Sequence, residues 1–131
     1  MMKTNILLIS HSKKLADGLK DIIVQMAPNV NIRAVGGTED GEIGSDFDKI
    51  NKSINQLSEN DNLVIFFDLG SSMMNAQMAI EMLEEQRRDR VILADNAMIE
   101  SAVQVSIMAE ADEDIEEIKK YLDSHKYHKI N

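Results

Sequence analysis

The sequence predicts an α/β fold, a doubly wound and mainly parallel sheet of four or five strands with helices on both faces. Four short apolar runs, at residues 5–10, 31–35, 63–67 and 90–94, have the length and composition of strands. Between these runs lie segments whose apolar residues recur with helical spacing, and the connections are short. Strands and helices that alternate in this way form parallel pairs with right-handed crossovers.

The first strand and the first helix are clearly marked. Residues 5–10 form a continuous apolar run, which is typical of a strand covered on both faces, and His11 follows directly. Over residues 13–26 the apolar side chains recur with helical spacing, Ser12 is placed to cap the start, and Pro28 lies just past the end. A helix is therefore predicted over residues 13–26.

The second strand, residues 31–35, leads into a loop rich in glycine. Four of the six glycines lie within nine residues, at positions 36, 37, 41 and 44. Helical spacing then predicts a helix over residues 46–57. The third strand, residues 63–67, ends directly before Asp68.

The elements after Asp68 draw much of their bulk from methionine. A helix is predicted over residues 73–86, with Met74, Met78 and Met82 on its buried side. The nine methionines of the chain are interpreted as core residues, with a subunit interface as the alternative. A fourth strand and two further helices complete the predicted fold, over residues 90–94, 100–110 and 112–124.

The composition fits one domain and excludes several kinds of site. The chain has 131 residues, which suits a single domain, predicted at residues 1–124 and followed by a charged tail at residues 125–131. It has no cysteine, which excludes disulfides, a thiolate nucleophile and thiolate-bound metals. Because no apolar run approaches the roughly 20 residues of a membrane span and the N-terminus has no secretory layout, a cytoplasmic location is expected.

The charge of the chain narrows the partners that it can bind. A net charge of −9 disfavours nucleic acids and anionic membranes, because their phosphates would be repelled. Six acidic side chains lie within residues 110–117. This run is interpreted as the solvated start of a helix, with a docking face for a basic partner as the alternative.

Three strand ends carry the residues that could perform chemistry. In a doubly wound sheet the ligand site lies outside the carboxyl ends of the strands. The first end delivers a histidine between two serines, the second a glycine pair with a threonine, and the third an aspartate with a glycine and two serines. The candidates are Ser10, His11, Ser12, Gly36, Gly37, Thr38, Asp68, Gly70, Ser71 and Ser72.

A histidine beside a carboxylate favours transient phosphorylation of His11. A neutral imidazole attacks phosphorus through one ring nitrogen, while a carboxylate, here Asp68, accepts a hydrogen bond from the other. Backbone N–H groups at the two helix starts and in the glycine turn would bind the phosphoryl oxygens. The hydroxyl groups at the three strand ends are further donors, and for Ser12 and Ser72 a helix cap is the alternative.

No sequence motif indicates a bound nucleotide, cofactor or metal. The pattern G-x-x-x-x-G-K-[ST] is absent, and the glycine spacing does not match G-x-G-x-x-G. A protein is therefore the expected phosphoryl donor, and no cofactor is expected. His125 and His128 lack a third ligand, so no metal site is predicted.

Three segments of the chain resemble a known family. They are residues 9–12 with His11, the glycine segment at residues 36–45, and residues 67–71 with Asp68. Together they resemble DhaM, the phosphotransferase subunits of phosphoenolpyruvate-dependent dihydroxyacetone kinase, whose domain is similar to the mannose-class (type 4) IIA domain of the sugar phosphotransferase system. The glycine segment is the most specific part, because a strand-end histidine would serve any mannose-class IIA domain.

This resemblance implies that the protein is a phosphoryl relay. His11 would accept a phosphoryl group from phospho-HPr and pass it to ADP held on the DhaL subunit, and the resulting ATP would phosphorylate dihydroxyacetone on DhaK. The resemblance also implies a homodimer and Asp68 as the partner of His11. One departure is that Gly70 is followed by Ser71 and Ser72, where mannose-class sequences usually have a second glycine and a proline.

Three other functions remain open at this point. An aspartate-phosphorylated receiver would carry its acceptor at Asp68, but the acidic pair that holds magnesium in receivers is absent after the first strand. A sugar-specific mannose-class IIA relay would use the same chemistry with a IIB domain as acceptor. A regulatory module would use its phosphorylation state to control a transcription factor.

Overall fold

The computed structural model describes residues 2–127 and has one four-stranded sheet at its centre. All strand pairs are parallel, and the strand order is β2-β1-β3-β4. The strands are β1 (Thr4–Ser10), β2 (Ile32–Gly36), β3 (Asn62–Phe67) and β4 (Val91–Ala94). This confirms the predicted doubly wound α/β fold, with four strands.

Helices cover both faces of the sheet. They are α1 (Lys13–Met26), α2 (Phe47–Leu57), α3 (Gly70–Glu81), α4 (Glu85–Arg88), α5 (Met98–Glu110) and α6 (Ile115–Ser124). Apolar side chains of α1, α5 and α6 form one core layer with the sheet, and those of α2 and α3 form the other. The continuous apolar runs of β1 and β3 follow from this arrangement, because a strand between two layers buries the side chains of both faces.

The predicted helix at residues 73–86 is two helices in the structure. α3 begins at Gly70 and ends at Glu81, and the short α4 follows after a turn. In the turn the Leu83 N–H donates to the Ile80 carbonyl at 3.1 Å, and the Leu83 side chain is buried in the apolar layer under α2. No glycine or proline marks this break, so the spacing of apolar residues could not reveal it.

The prediction that Met74, Met78 and Met82 lie on the buried side of their helix was wrong, whereas Met98 and Met108 of α5 are core residues as predicted. The exposed fractions are 64% for Met74, 51% for Met78 and 68% for Met82. The buried side of α3 consists of the small residues Ser72, Ala76 and Ala79. Small side chains let the helix approach its neighbours closely, and helical spacing cannot decide which of two apolar stripes is buried.

The described part of the predicted tail, residues 125–127, is attached to the domain. Lys126 forms a bridge with Asn96, and the Asn96 side chain donates to the His125 carbonyl at 2.9 Å. The rest of the predicted tail, including His128, lies outside the described residues. None of the helices within residues 2–127 has the length and apolar character needed to cross a membrane.

Candidate functional site

The register of the three neighbouring strands brings the candidate residues to one edge of the sheet. Ile9 of β1 is paired with Phe67 of β3, so the residues that follow, including His11 and Asp68, emerge side by side. On the other side of β1, Ser10 is paired with Gly36 of β2. The sequence prediction that these strand ends converge is therefore confirmed for the geometry of the sheet.

The Asp68 carboxylate accepts four hydrogen bonds. Its Oδ2 accepts from the Ser10 hydroxyl at 2.8 Å and from the His11 backbone N–H at 2.9 Å. Its Oδ1 accepts from the His11 Nδ1 at 3.0 Å and from the Leu69 backbone N–H at 2.7 Å. Burial by itself would raise the pKa of Asp68, but these hydrogen bonds outweigh burial and lower the pKa below its usual 3.8. Asp68 is thus held as an oriented carboxylate.

The contact with Asp68 sets the tautomer of His11. An ionised carboxylate can only accept, so the ring carries a proton on Nδ1, and in the neutral imidazole the lone pair is on Nε2. The Ser71 hydroxyl donates to this Nε2. The side chain of His11 is 17% exposed and Ser71 is exposed, so Nε2 lies at the rim of the molecule. Nε2 is therefore the ring nitrogen on the side that a partner can approach.

Ser10 and Ser72 lie on the inner side of the ring. Ser10 is 1% exposed, and its hydroxyl donates to Asp68 and accepts from the Ser12 backbone N–H at 3.0 Å. Ser72 is 0% exposed, with its Oγ 3.3 Å from Nδ1 of His11. These two hydroxyls therefore contact the carboxylate and the inner side of the ring, and they do not face the space in front of Nε2.

The remaining candidates build the walls of the site. The Ser12 side chain caps α1, where it accepts from the Leu15 N–H at 3.2 Å. The Gly37 N–H donates to the Ser10 carbonyl at 3.3 Å, and the Thr38 N–H donates to the Glu42 carbonyl at 2.9 Å. The Gly37 amide is thus engaged with β1, and the Thr38 amide is engaged within the loop. Gly36, Gly37 and Thr38 shape the loop beside His11 through these backbone contacts.

Gly36 is needed where β2 meets the start of α1. A Cβ at this position would lie 2.6 Å from the Ser12 carbonyl oxygen and 2.6 Å from the Lys13 Cα. Both of these are backbone atoms, which cannot rotate away as the end of a side chain can. Any side chain at position 36 would push the start of α1, and with it His11, out of place.

The start of α3 offers donors that the loop does not. Its N-cap residue, Leu69, makes no side-chain capping bond. The backbone N–H groups of Gly70 and Ser71, in the first turn, have no acceptor within residues 2–127. Free N–H groups at a helix start bind anions, and Ser71 is the residue that contacts Nε2.

Sequence reasoning missed the contacts that hold the glycine loop, residues 37–46, over the site. The Gly44 N–H donates to the His11 carbonyl at 2.9 Å. The Asn75 side chain of α3 donates to the Ser45 hydroxyl at 2.8 Å, and Lys49 Nζ donates to the Thr38 carbonyl at 2.9 Å. These bonds join residues that are far apart in the chain, and no local pattern announces them. Within residues 2–127 no group of three His, Cys, Asp or Glu is arranged to hold a metal ion.

Comparisons with known proteins place this chain in a family. A family model described as the phosphotransferase system fructose IIA component, EIIA-man, matches residues 5–119. The phosphotransferase subunit DhaM of the dihydroxyacetone kinase of Lactococcus lactis is 38% identical over 93% of this chain and 95% of that protein. DhaM of the dihydroxyacetone kinase 1 of Listeria innocua is 42% identical over 82% of this chain and 83% of that protein.

Two solved structures share the fold. A crystal structure of a protein of unknown function has a TM-score of 0.85 and 38% identity, covering 99% of this chain and 100% of that one. The mannose/sorbose-specific IIA subunit from Enterococcus faecalis has a TM-score of 0.59 and 19% identity, covering 95% of this chain and 89% of that one. The chain therefore belongs to the EIIA-man family, together with the DhaM subunits of dihydroxyacetone kinase.

Proposed function

We propose that this chain is the phosphoryl-relay subunit of a dihydroxyacetone kinase. His11 accepts a phosphoryl group from phospho-HPr and passes it to ADP held on DhaL, and the ATP so formed phosphorylates dihydroxyacetone on DhaK. The observation that carries the proposal is the state of the His11 ring, whose Nδ1 proton is bonded to Asp68 while Nε2 is directed to the rim. Two DhaM relatives match 80% or more of this chain, and they support the choice of DhaL with ADP as the phosphoryl acceptor.

In the first transfer, the Nε2 lone pair forms a bond to phosphorus as the bond from phosphorus to the HPr ring nitrogen breaks. The HPr ring keeps the electron pair of the broken bond. The proton on Nδ1 of His11 stays in place, and Asp68 stabilises the positive charge that the ring gains. In the second transfer, a terminal phosphate oxygen of ADP attacks phosphorus, and Nε2 recovers its lone pair.

The start of α3 receives the phosphoryl oxygens in this proposal. The Ser71 hydroxyl turns from Nε2 to an oxygen of the bound group, and the free N–H groups of Gly70 and Ser71 add two donors without a negative side chain. Ser10 and Ser72 keep Asp68 and the ring in position. Ser12, Gly36, Gly37 and Thr38 serve the site by shaping the backbone around it.

The proposal includes a homodimer in the cytoplasm. β4 is an edge strand, and α3, which packs beside it, exposes Met78, while Met82 is exposed at the C-cap of this helix. A second copy could cover this apolar surface, as the family resemblance implies. Sedimentation of the full chain should give the mass of two copies, and a mass of one copy would contradict this part of the proposal.

Phosphorylation of the purified chain tests the first transfer. With phosphoenolpyruvate, enzyme I and HPr, the protein should acquire an acid-labile, base-stable phosphate, and His11→Ala should abolish it. His125→Ala is the matched control, because it removes the other described histidine and should leave labelling unchanged. Long-range ¹H–¹⁵N correlation of the phosphorylated ring should assign the phosphate to Nε2. Acid-stable label, or label that persists in His11→Ala, would contradict the relay.

A sugar-specific IIA relay is the second candidate, because the family model and one structural neighbour carry sugar names. The protein that accepts the phosphoryl group from His11 distinguishes the two candidate functions. Phosphorylated protein should form dihydroxyacetone phosphate when DhaK, DhaL with ADP and dihydroxyacetone are added, and should not label a mannose-class IIB domain. The reverse result would identify the sugar-specific relay, with the chemistry at His11 unchanged.

A further inference from the structure

A cleft with unbalanced positive charge lies along the free edge of β2. It has a volume of about 360 Å³ and is formed by the sides of α1 and α2 above and below the strand. β2 is the end strand of the sheet, so one side of its backbone has no strand partner among the described residues. The residues that carry the argument are Lys13, Arg33, Lys49, Lys52, Ser53 and Gln56.

The charge of this cleft is opposite to that of the chain. Four cationic side chains line it against one carboxylate, Asp17, while the whole chain carries −9. Asp17 is already used, since it pairs with Lys13 at 2.6 Å. Three cations therefore share one cleft without a carboxylate within ion-pair distance among residues 2–127. Like charges repel, so an arrangement of this kind is favourable when an anion enters it.

The partners of these three cations are neutral or absent. Arg33 donates to the side-chain oxygen of Gln56, and Lys49 donates to the carbonyl of Thr38. Lys52 is exposed, and its ammonium group has no hydrogen-bond or ion-pair partner in the described part of the chain. Neutral partners orient the cationic groups but leave their charge available to a ligand.

The backbone of β2 adds a donor at the centre of the cleft. The carbonyl of Asn31 accepts from β1, and the N–H of Gly37 donates to β1. Hydrogen-bonding groups alternate in direction along a strand, so the odd-numbered residues of β2 face β1 and the even-numbered ones face away from it. The N–H of Ala34 is therefore directed outward into the cleft. Ser53 and Gln56 of α2 provide further polar groups on the wall.

We infer that this cleft binds a small organic molecule that carries one or two phosphate groups. An Arg33 guanidinium, two ammonium groups and an outward N–H in one cleft supply the positive charge and the hydrogen-bond donors that phosphate oxygens require. The volume lies within the usual range for small-molecule sites, about 300 to 1,000 Å³. His11 is not among the residues that line the cleft, and the inference does not depend on the proposed function.

Occupancy of the cleft would be transmitted to the glycine loop. A phosphate that binds Lys49 Nζ competes with the Thr38 carbonyl for this donor. The bond from Lys49 to Thr38 connects the glycine loop to α2. The same loop donates from the Gly44 N–H to the His11 carbonyl. The ligand should therefore shift the loop amides as well as the amides of the cleft.

Titration of the ¹⁵N-labelled full chain with inorganic pyrophosphate at constant ionic strength tests this inference. Amides of residues 33–36 and 49–53 should shift saturably, together with Thr38 and Gly44. Lys52→Glu should raise the apparent dissociation constant about tenfold or more. Lys120→Glu is the matched control, because Lys120 is an exposed lysine of α6 outside the cleft, and it should change the constant less than about twofold.

Three results would overturn the inference. Shifts that stay linear with concentration or spread over all exposed lysines mean an adventitious ion only. Shifts confined to His11, Ser71 and Ser72 mean that pyrophosphate occupies the phosphoryl site. Tighter binding of a polyglutamate peptide than of pyrophosphate means that the cleft receives an acidic protein segment.

Discussion

The starts of α1 and α3 each have a serine, and the two serines make different contacts. Each helix begins three residues after the end of a parallel strand, with Ser12 at the N-cap of α1 and Ser71 in the first turn of α3. At α1, Ser12 turns its oxygen to the Leu15 N–H and closes the helix start. At α3 the N-cap position holds Leu69, and no side chain caps the helix. The serine of α3, Ser71, lies in the first turn of that helix and contacts Nε2 of His11 instead.

This difference shows how the fold gives two tasks to the serines at two helix starts. The Ser12 hydroxyl caps α1, and such a cap adds about 1 kcal/mol of stability. The Ser71 hydroxyl is directed to the His11 ring instead, beside the unbonded N–H groups of the first turn of α3, which can bind an anion. Residues at the start of α3 should therefore affect phosphoryl transfer, and residues at the start of α1 should affect stability.

Replacement of Asp68, just before α3, should have the largest effect on transfer. Asp68→Asn removes the charge that fixes the Nδ1 proton, and we expect the rate of phosphoryl acceptance from HPr to fall about 10²- to 10⁴-fold. Circular dichroism should show a folded domain. Asp123→Asn, at an exposed position of α6, is the matched control with no expected loss. An unchanged rate in Asp68→Asn would remove this carboxylate from the mechanism.

A methyl group at Gly36 tests the start of α1. Gly36→Ala places Cβ against backbone atoms of Ser12 and Lys13, so the free energy of unfolding should fall by about 1–3 kcal/mol. Gly18→Ala is the control within α1, because its Cβ meets nothing within 4 Å and should stabilise the helix by about 0.5–1 kcal/mol. Urea unfolding measures both. If the two variants had equal stability, the close approach at Gly36 would not matter.

The two serines at the helix starts provide the most direct comparison. Ser71→Ala removes one phosphoryl donor and should slow phosphoryl acceptance about three- to tenfold with little change in stability. Ser12→Ala should lower the free energy of unfolding by about 1 kcal/mol and leave the transfer rate within about twofold. Stopped-flow transfer assays and urea unfolding distinguish these effects. If the effects were exchanged, the assignment of roles would be wrong.

The pH dependence of stability should show the smallest effect. The pKa of Asp68 is lower in the folded protein than its usual 3.8, so its ionised form adds stability above that value. This contribution is lost as the pH falls below 3.8 through the pKa of the folded state. The difference in unfolding free energy between wild type and Asp68→Asn should therefore be larger near neutral pH than in acid. A difference that does not vary with pH would contradict the lowered pKa.

Much of the fold could be predicted because it depends on local patterns. The four apolar runs gave all four strands within two residues, and helical spacing located α1, α2, α5 and α6. The position of His11 and Asp68 at neighbouring strand ends followed from the topology rule alone. The break between α3 and α4 and the exposed methionines could not be predicted, because they depend on which side of a helix finds a neighbour.

The sequence assigned roles to His11 and Asp68, but it did not assign a single role to each hydroxyl group of the site. The site has four serines next to strand ends, and the sequence does not distinguish their roles. Each hydroxyl has a different partner in the structure, as seen for Ser10, Ser12, Ser71 and Ser72. A hydroxyl takes its role from the nearest donor or acceptor, which register and helix placement decide. The cations of the β2 cleft come from α1, β2 and α2 and are likewise far apart in the chain.

The sequence by itself determined the parallel sheet, the strand-end histidine with its carboxylate, and the absence of thiol chemistry. These features depend on the order and spacing of residues, which a linear chain records. Only the tertiary structure decided that Nδ1 contacts Asp68 while Nε2 contacts Ser71 at the rim, that α3 starts without a side-chain cap, and that four cations meet along β2. Such features depend on distances between segments that are separated by tens of residues, and packing of the complete core fixes those distances.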